Sequence, residues 1–136
     1  MGNTPSLKLN NYEYLQEMLI QQSNPKYVII NTLPENEQEC LIQNTCNCNE
    51  EESIINKYLH NGETDIAIVI YGKNNTCQKV FAKRIQLVKL GFRNISIYPG
   101  GLFEWILLQD IYGDALFPTT SKQNDILKFR PPKIST

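Results

Sequence analysis

Apolar residues in this chain fall into short continuous runs, separated by longer stretches in which they recur every third or fourth position. The two patterns point to different elements, because strand side chains alternate between faces and helical ones return to one face about every 3.6 residues. "KYVIINTL", "DIAIVIYG" and "NISIYP" read as strands. The second is almost continuously apolar, as a central parallel strand covered on both sides must be. "CLIQNTCNC" is expected to add a short strand through Thr45, Cys46 and Cys48. Helices are predicted in the intervals. Asn10 or Asn11 caps "NYEYLQEMLIQQ", with Tyr12, Leu15, Met18 and Leu19 on one face and Pro25 closing the segment. "NEEESIINKYLHNG" has Asn49 as its cap, Glu50, Glu51 and Glu52 in the first turn, a core face of Ile54, Ile55, Tyr58 and Leu59, and Gly62 as its stop. "CQKVFAKRIQLVKLGF" should turn Val80, Phe81, Ile85, Val88 and Leu90 inward and end at Gly91. After Gly100 and Gly101, "LFEWILLQDIYG" is a short apolar helix.

Strands alternating with helices imply crossover connections and a parallel sheet. The expected fold is therefore α/β: a three-layer sandwich around a central, mainly parallel sheet. One domain over residues 10–116 is expected, preceded by a flexible 1–9 and followed by an extended arm, 117–136. The arm holds Pro118, Pro131 and Pro132 and few core residues. Its anchors Phe117, Ile126, Leu127 and Phe129 suit packing on this domain or on a partner. In such a sheet the ligand site lies outside the carboxyl ends of the strands. That places interest on the loop after "DIAIVIY": Gly72, Lys73, Asn74, Asn75, Thr76, Cys77 and Gln78.

Composition narrows the functional classes. Thirteen basic residues against fourteen acidic ones leave the net charge near zero, with no basic block, so nucleic acid is not an expected partner. No apolar run approaches the roughly 20 residues of a membrane span, and the N-terminus lacks the apolar core of a secretory signal. Four cysteines without such a signal suggest reduced thiols in a cytoplasmic or other reducing intracellular compartment. "MGNTPS" fits the N-myristoylation pattern with Gly2 as acceptor, and the membrane is expected as a partner only if Gly2 is acylated.

The run "LVKLGFRNISIYPGGLFEW" resembles the closing segment of the rhodanese-like family: helix, L-G-F, strand, a Gly-Gly turn, then three residues and a tryptophan. "YVIINTL" is similar to the family strand that reads L-I-D-V-R, and "CLIQNTCNC" occupies the place of its G-H-I-x-G-A-x-N-I segment. The resemblance covers about residues 10–112 and implies the sulfurtransferase fold. It also implies a cysteine directly after the central strand, inside a loop whose amides stabilise a thiolate, persulfide or oxyanion. Here that position is Gly72, which cannot form a covalent intermediate. The loop's closing arginine falls on Thr76, Cys77 or Gln78, and the strand's aspartate and arginine are Asn31 and Leu33.

The reading favoured by these departures is a rhodanese-like domain without catalysis, serving as an interaction or structural module in a larger assembly. Protein partners are expected through the last helix around Trp105 and the arm; no cofactor is implied. Two alternatives stay open. Cys77, in the first turn of a helix near Lys73 and Lys79, could serve as a displaced nucleophile for sulfurtransferase or phosphatase chemistry, although a residue there is expected to point around the helix. The loop amides could also hold a sulfate- or phosphate-like anion, with Asn75 or Thr76 capping the helix. Cys40, Cys46, Cys48 and His60 do not match the usual spacing of a zinc site, so no metal is expected. Cys46 and Cys48 read better as small buried residues, and His60 as a polar helix end.

Overall fold

The computed structural model describes residues 6–21 and 27–133. Three strands, β1 (Tyr27–Asn31), β2 (Ala67–Tyr71) and β3 (Ile95–Tyr98), form a parallel sheet in the order β1-β2-β3. Ile29 stands beside Val69, and Val69 beside Ser96. Both edges are covered by single bridges. Leu9 pairs parallel with Ile97, and Thr45 pairs parallel with Ile29. The Asn10 N–H donates to Ile97 O and the Ile97 N–H to Lys8 O, while the Cys46 N–H donates to Ile29 O at 2.7 Å. These partners occupy edges that would otherwise offer unpaired groups to another strand.

Strand side chains alternate between two cores. Ile29, Val69 and Tyr71 face one side with residues of α1 (Tyr12–Ile20) and α4 (Gly101–Tyr112). Val28, Ile30, Ile68 and Ile70 face the other with α2 (Glu51–His60) and α3 (Lys79–Leu90). This is the expected three-layer arrangement. Among the described residues no helix is long and apolar enough to cross a membrane.

Asn11 caps α1: its Oδ1 accepts from the Glu13 and Tyr14 N–H groups, and Leu15 and Met18 are buried behind it. The helix ends at Ile20; Pro25 and Gly2 lie outside the described residues. Asn49 is not the cap of α2. The Asn49 N–H instead donates to Asn47 Oδ1 at 2.8 Å, a turn that leads into a helix beginning at Glu51. In α3 the buried residues are Val80 and Leu87, whereas Phe81, Ile85 and Leu90 are 40%, 48% and 49% exposed. The face of α3 lying on the sheet is a narrow stripe, narrower than the apolar content of the helix.

"CLIQNTCNC" is not a strand. Asn44 adopts a left-handed φ of 67°, and the Thr45 N–H returns to Ile42 O. The buried Tyr71 hydroxyl holds this turn in place: it accepts from the Ile42 N–H at 3.1 Å and lies 2.8 Å from Thr45 Oγ1. Burial drives the Tyr71 phenol well above its ordinary pKa, so it stays protonated.

The arm is not a free extension. Phe117 and Phe129 are 2% and 3% exposed and belong to the same core as Trp105, and residues Ile126–Phe129 form a 3-10 turn. Trp105 itself is fully buried, with Nε1 donating to Pro118 O, so it is not part of the outer surface of α4. Sparse anchors that could not form a core alone are sufficient when an existing core receives them.

Candidate functional site

β2 delivers the chain to Gly72 at the carboxyl edge of the sheet, and α3 starts at Lys79. Between them the loop is fastened from two directions. Gly72 O accepts from the Leu102 N–H and Lys73 O from the Phe103 N–H, both at 2.9 Å, so the first turn of α4 binds the loop backbone. Gly101 makes that approach possible: its φ is +69°, and a Cβ there would lie 2.7 Å from Gly72 O and 3.1 Å from Asn74 N. No other residue accepts both the left-handed backbone and the absent space.

Gly72 is buried, and the space beside it is filled. A Cβ at this position would lie 2.6 Å from Cys77 Cβ, 2.7 Å from Cys77 Sγ and 3.2 Å from Thr32 Oγ1. The half-buried Cys77 thiol therefore turns back toward the start of the loop, contrary to the expectation that it would point around the helix. Thr32, the residue after β1, backs this position. Its hydroxyl bonds to Tyr71 O at 3.2 Å and stands 3.5 Å from Cys77 Sγ.

Two of the loop's polar side chains, Asn74 and Lys73, are committed to partners within the chain. Asn74, 9% exposed, accepts through Oδ1 from the Thr76 N–H and hydroxyl, at 3.0 and 2.6 Å. Its Nδ2 donates to Phe129 O at 3.0 Å and Arg130 O at 3.3 Å. Lys73 pairs with Glu37 at 2.7 Å, with its Nζ 6.0 Å from the centre of the Phe129 ring. Asn75, Thr76 and Gln78 are exposed, and the residue preceding α3, Gln78, makes no side-chain cap bond. Neither Asn75 nor Thr76 caps α3; the organising side chain is Asn74. The expected proximity of Lys73 to Cys77 is likewise replaced by its ion pair with Glu37, while Lys79 is exposed.

Asn31 closes the end of β1. Its Oδ1 accepts from the Leu33 N–H and from Gln38 Nε2, and its Nδ2 donates to Gln38 Oε1. Leu33 is buried in the core. The remaining cysteines lie elsewhere. Cys40 is buried, its Sγ bonded to Ser121 O, and burial raises its pKa. Cys46 is pushed up to about 11, chiefly by burial and then by Glu51, Glu50 and Cys48. Cys46 and Cys48 are half-buried rather than buried. His60 is exposed at the end of α2, and among the described residues no group of three or more His, Cys, Asp or Glu side chains could hold a metal.

Sequence reasoning missed Thr32, Glu37 and Phe129 as neighbours of this loop. Thr32 carried a signal, since it follows a strand at the carboxyl edge of the sheet. The other two reach the site only through tertiary packing.

A model of the rhodanese-like domain family matches residues 12–108. The chain belongs to that family. Among solved structures, a crystal structure of the Alr3790 protein from Anabaena sp. is similar at 20% identity, covering 81% of this chain and 89% of that one, with a TM-score of 0.56. A solution structure of the rhodanese-like domain of Alr3790 from Anabaena sp. is 17% identical, covers 96% of this chain and 89% of that one, and also has a TM-score of 0.56. At these identities the likeness concerns the fold. No curated protein matches the chain.

Proposed function

We propose that this rhodanese-like domain works by binding, as an interaction or structural module, without a covalent intermediate at residue 72. The observation that supports this most directly is the filled space beside Gly72: glycine offers no nucleophile, and the Cys77 side chain stands where a β-carbon would begin one. The loop is also held shut by its own chain, through Asn74 and the Lys73–Glu37 pair. A partner would meet the apolar residues that the core leaves outside on α4, Leu107 and Ile111, of which Ile111 is 68% exposed. The cysteines are free thiols, which fits a reducing intracellular compartment.

A second reading has one specific observation in its favour. Cys77 Sγ lies 2.7 Å from the position of a β-carbon on residue 72, so its thiol stands at the start of the loop. Cys77 would then be a displaced sulfur acceptor. Anion sensing has less support, since Lys73 already has a carboxylate partner.

A thiosulfate:cyanide sulfurtransferase assay, with mass detection of a persulfide, separates the first two readings. The expected result is neither turnover nor a sulfur adduct on the native protein. Turnover that is lost in Cys77→Ala would overturn the proposal and make Cys77 the nucleophile.

A further inference from the structure

The two halves of the C-terminal arm are held very differently. Residues 117–121 are bonded to the body almost continuously. Ile42 and Thr119 form an antiparallel bridge, and the Gln43 N–H donates to Pro118 O. Gln109 Nε2 donates to Phe117 O, the Thr120 N–H to Leu41 O, and Ser121 Oγ to Glu39 O. Beyond Ser121 the pattern changes. Among the described residues the polar bonds of 123–125 are local: the Asp125 N–H to Gln123 Oε1, and the Lys128 N–H to Asp125 O. An open cleft of about 680 Å³, lined by Ile106, Gln109 and Asp110 on one side and by Lys122, Gln123 and Asn124 on the other, separates this stretch from α4.

The chain touches down again at its tip. Phe129 is buried beside α4, and the carbonyls of Phe129 and Arg130 accept from Asn74 Nδ2. Lys73 and Lys128 stand 6.0 and 5.9 Å from the Phe129 ring centre. A segment bonded firmly at one end, arched over a cleft, and fixed at the other end by the packing of Ile126 and Phe129 and by one side-chain amide has the construction of a locally opening unit. Such units open with less free energy than the domain that carries them.

We infer that residues 122–130 form a latch, hinged after Ser121, whose tip pins the Gly72 loop through Asn74 and Phe129. With the latch closed, Asn74 is fixed on both sides, and its Oδ1 holds the Thr76 turn that leads to Cys77. With the latch open, Asn74 loses its carbonyl partners and Lys73 loses the ring, so the whole loop edge becomes available to solvent or to a partner. The latch stands whether or not Cys77 reacts with a substrate.

Two variants of the full chain test it from opposite sides. Asn74→Asp keeps the oxygen that Thr76 needs but sets a carboxylate against two carbonyls; Phe129→Ala removes the ring. The readout is the rate of alkylation by iodoacetamide at each cysteine, resolved by mass spectrometry. Cys77 reports on the loop, Cys40 on the firmly bonded half through its contact with Ser121, and Cys46 on the far side of the sheet. Release of the tip, by loss of two hydrogen bonds in Asn74→Asp and of the ring in Phe129→Ala, should raise the Cys77 rate about tenfold in both variants, with Cys40 and Cys46 unchanged. An unchanged Cys77 rate overturns the latch. An equal rise at all three cysteines also overturns it, because the arm would then open only with the whole domain. A rise confined to one variant overturns it too, since the amide and the ring would act apart.

Discussion

The sulfur of Cys77 lies 2.7 Å from the point that a β-carbon on Gly72 would occupy, and the Cys77 β-carbon lies 2.6 Å from it. The two positions therefore exclude one another: a side chain at 72 and the present side chain at 77 cannot share the start of the loop. Thr32 Oγ1, 3.2 Å from the same point, closes the remaining side.

Restoring a cysteine at 72 should therefore be harmful on its own. Gly72→Cys is expected to cost about 1–3 kcal/mol of overpacking. Cys77→Ala would not relieve it, because the clashing β-carbon remains. Cys77→Gly should. Urea unfolding of Gly72→Cys, Gly72→Cys/Cys77→Ala and Gly72→Cys/Cys77→Gly gives the order; equal stability of all three would disprove the steric relationship.

Gly101 and Gly62 form a natural pair. Both have left-handed φ, +69° and +72°, but a Cβ at 62 meets nothing within 4 Å, whereas one at 101 meets Gly72 O at 2.7 Å. Gly62→Ala should cost only the backbone term, about 1–2 kcal/mol. Gly101→Ala should cost more, because the carbonyl it strikes is held by the Leu102 N–H. Thermal melts of the two variants should rank accordingly.

Tyr71→Phe removes the hydroxyl that accepts from the Ile42 N–H at a fully buried residue. The stranded N–H should destabilise the protein by about 1–3 kcal/mol. Hydrogen exchange should localise the effect to residues 42–45, since Thr45 loses the same partner. Exchange spread evenly over the sheet would contradict this account of the turn.

Stability should decline at alkaline pH, and Cys46 should carry part of the decline. Its folded pKa is raised from 9.0 to about 11, so the folded state keeps the proton over a range in which the unfolded state has lost it. The resulting stabilisation is present below pH 9.0 and is lost as pH rises to about 11. Melting temperatures across that interval should fall less steeply in Cys46→Ala. Identical slopes would show that Cys46 titrates alike in both states.

What the sequence determined by itself was local or periodic in origin. The three strands, a cap at Asn10 or Asn11, the glycine stop at Gly91 and the loop that leaves the sheet at Gly72 all follow from patterns a few residues wide, because backbone geometry responds to near neighbours. Gly72, Asn31 and Leu33 could be placed for the same reason, each standing at a fixed offset from a strand. Tertiary structure alone decided the rest. The inward face of α3 depended on how the helix lies on the sheet, so Leu87 is buried while Phe81 and Ile85 are exposed. The 42–45 turn depended on the hydroxyl of Tyr71, remote in sequence. The partners of the Gly72 loop came from residues 32, 37 and 129, and no periodicity along the chain encodes which distant carbonyl or carboxylate a side chain will meet once the core has closed.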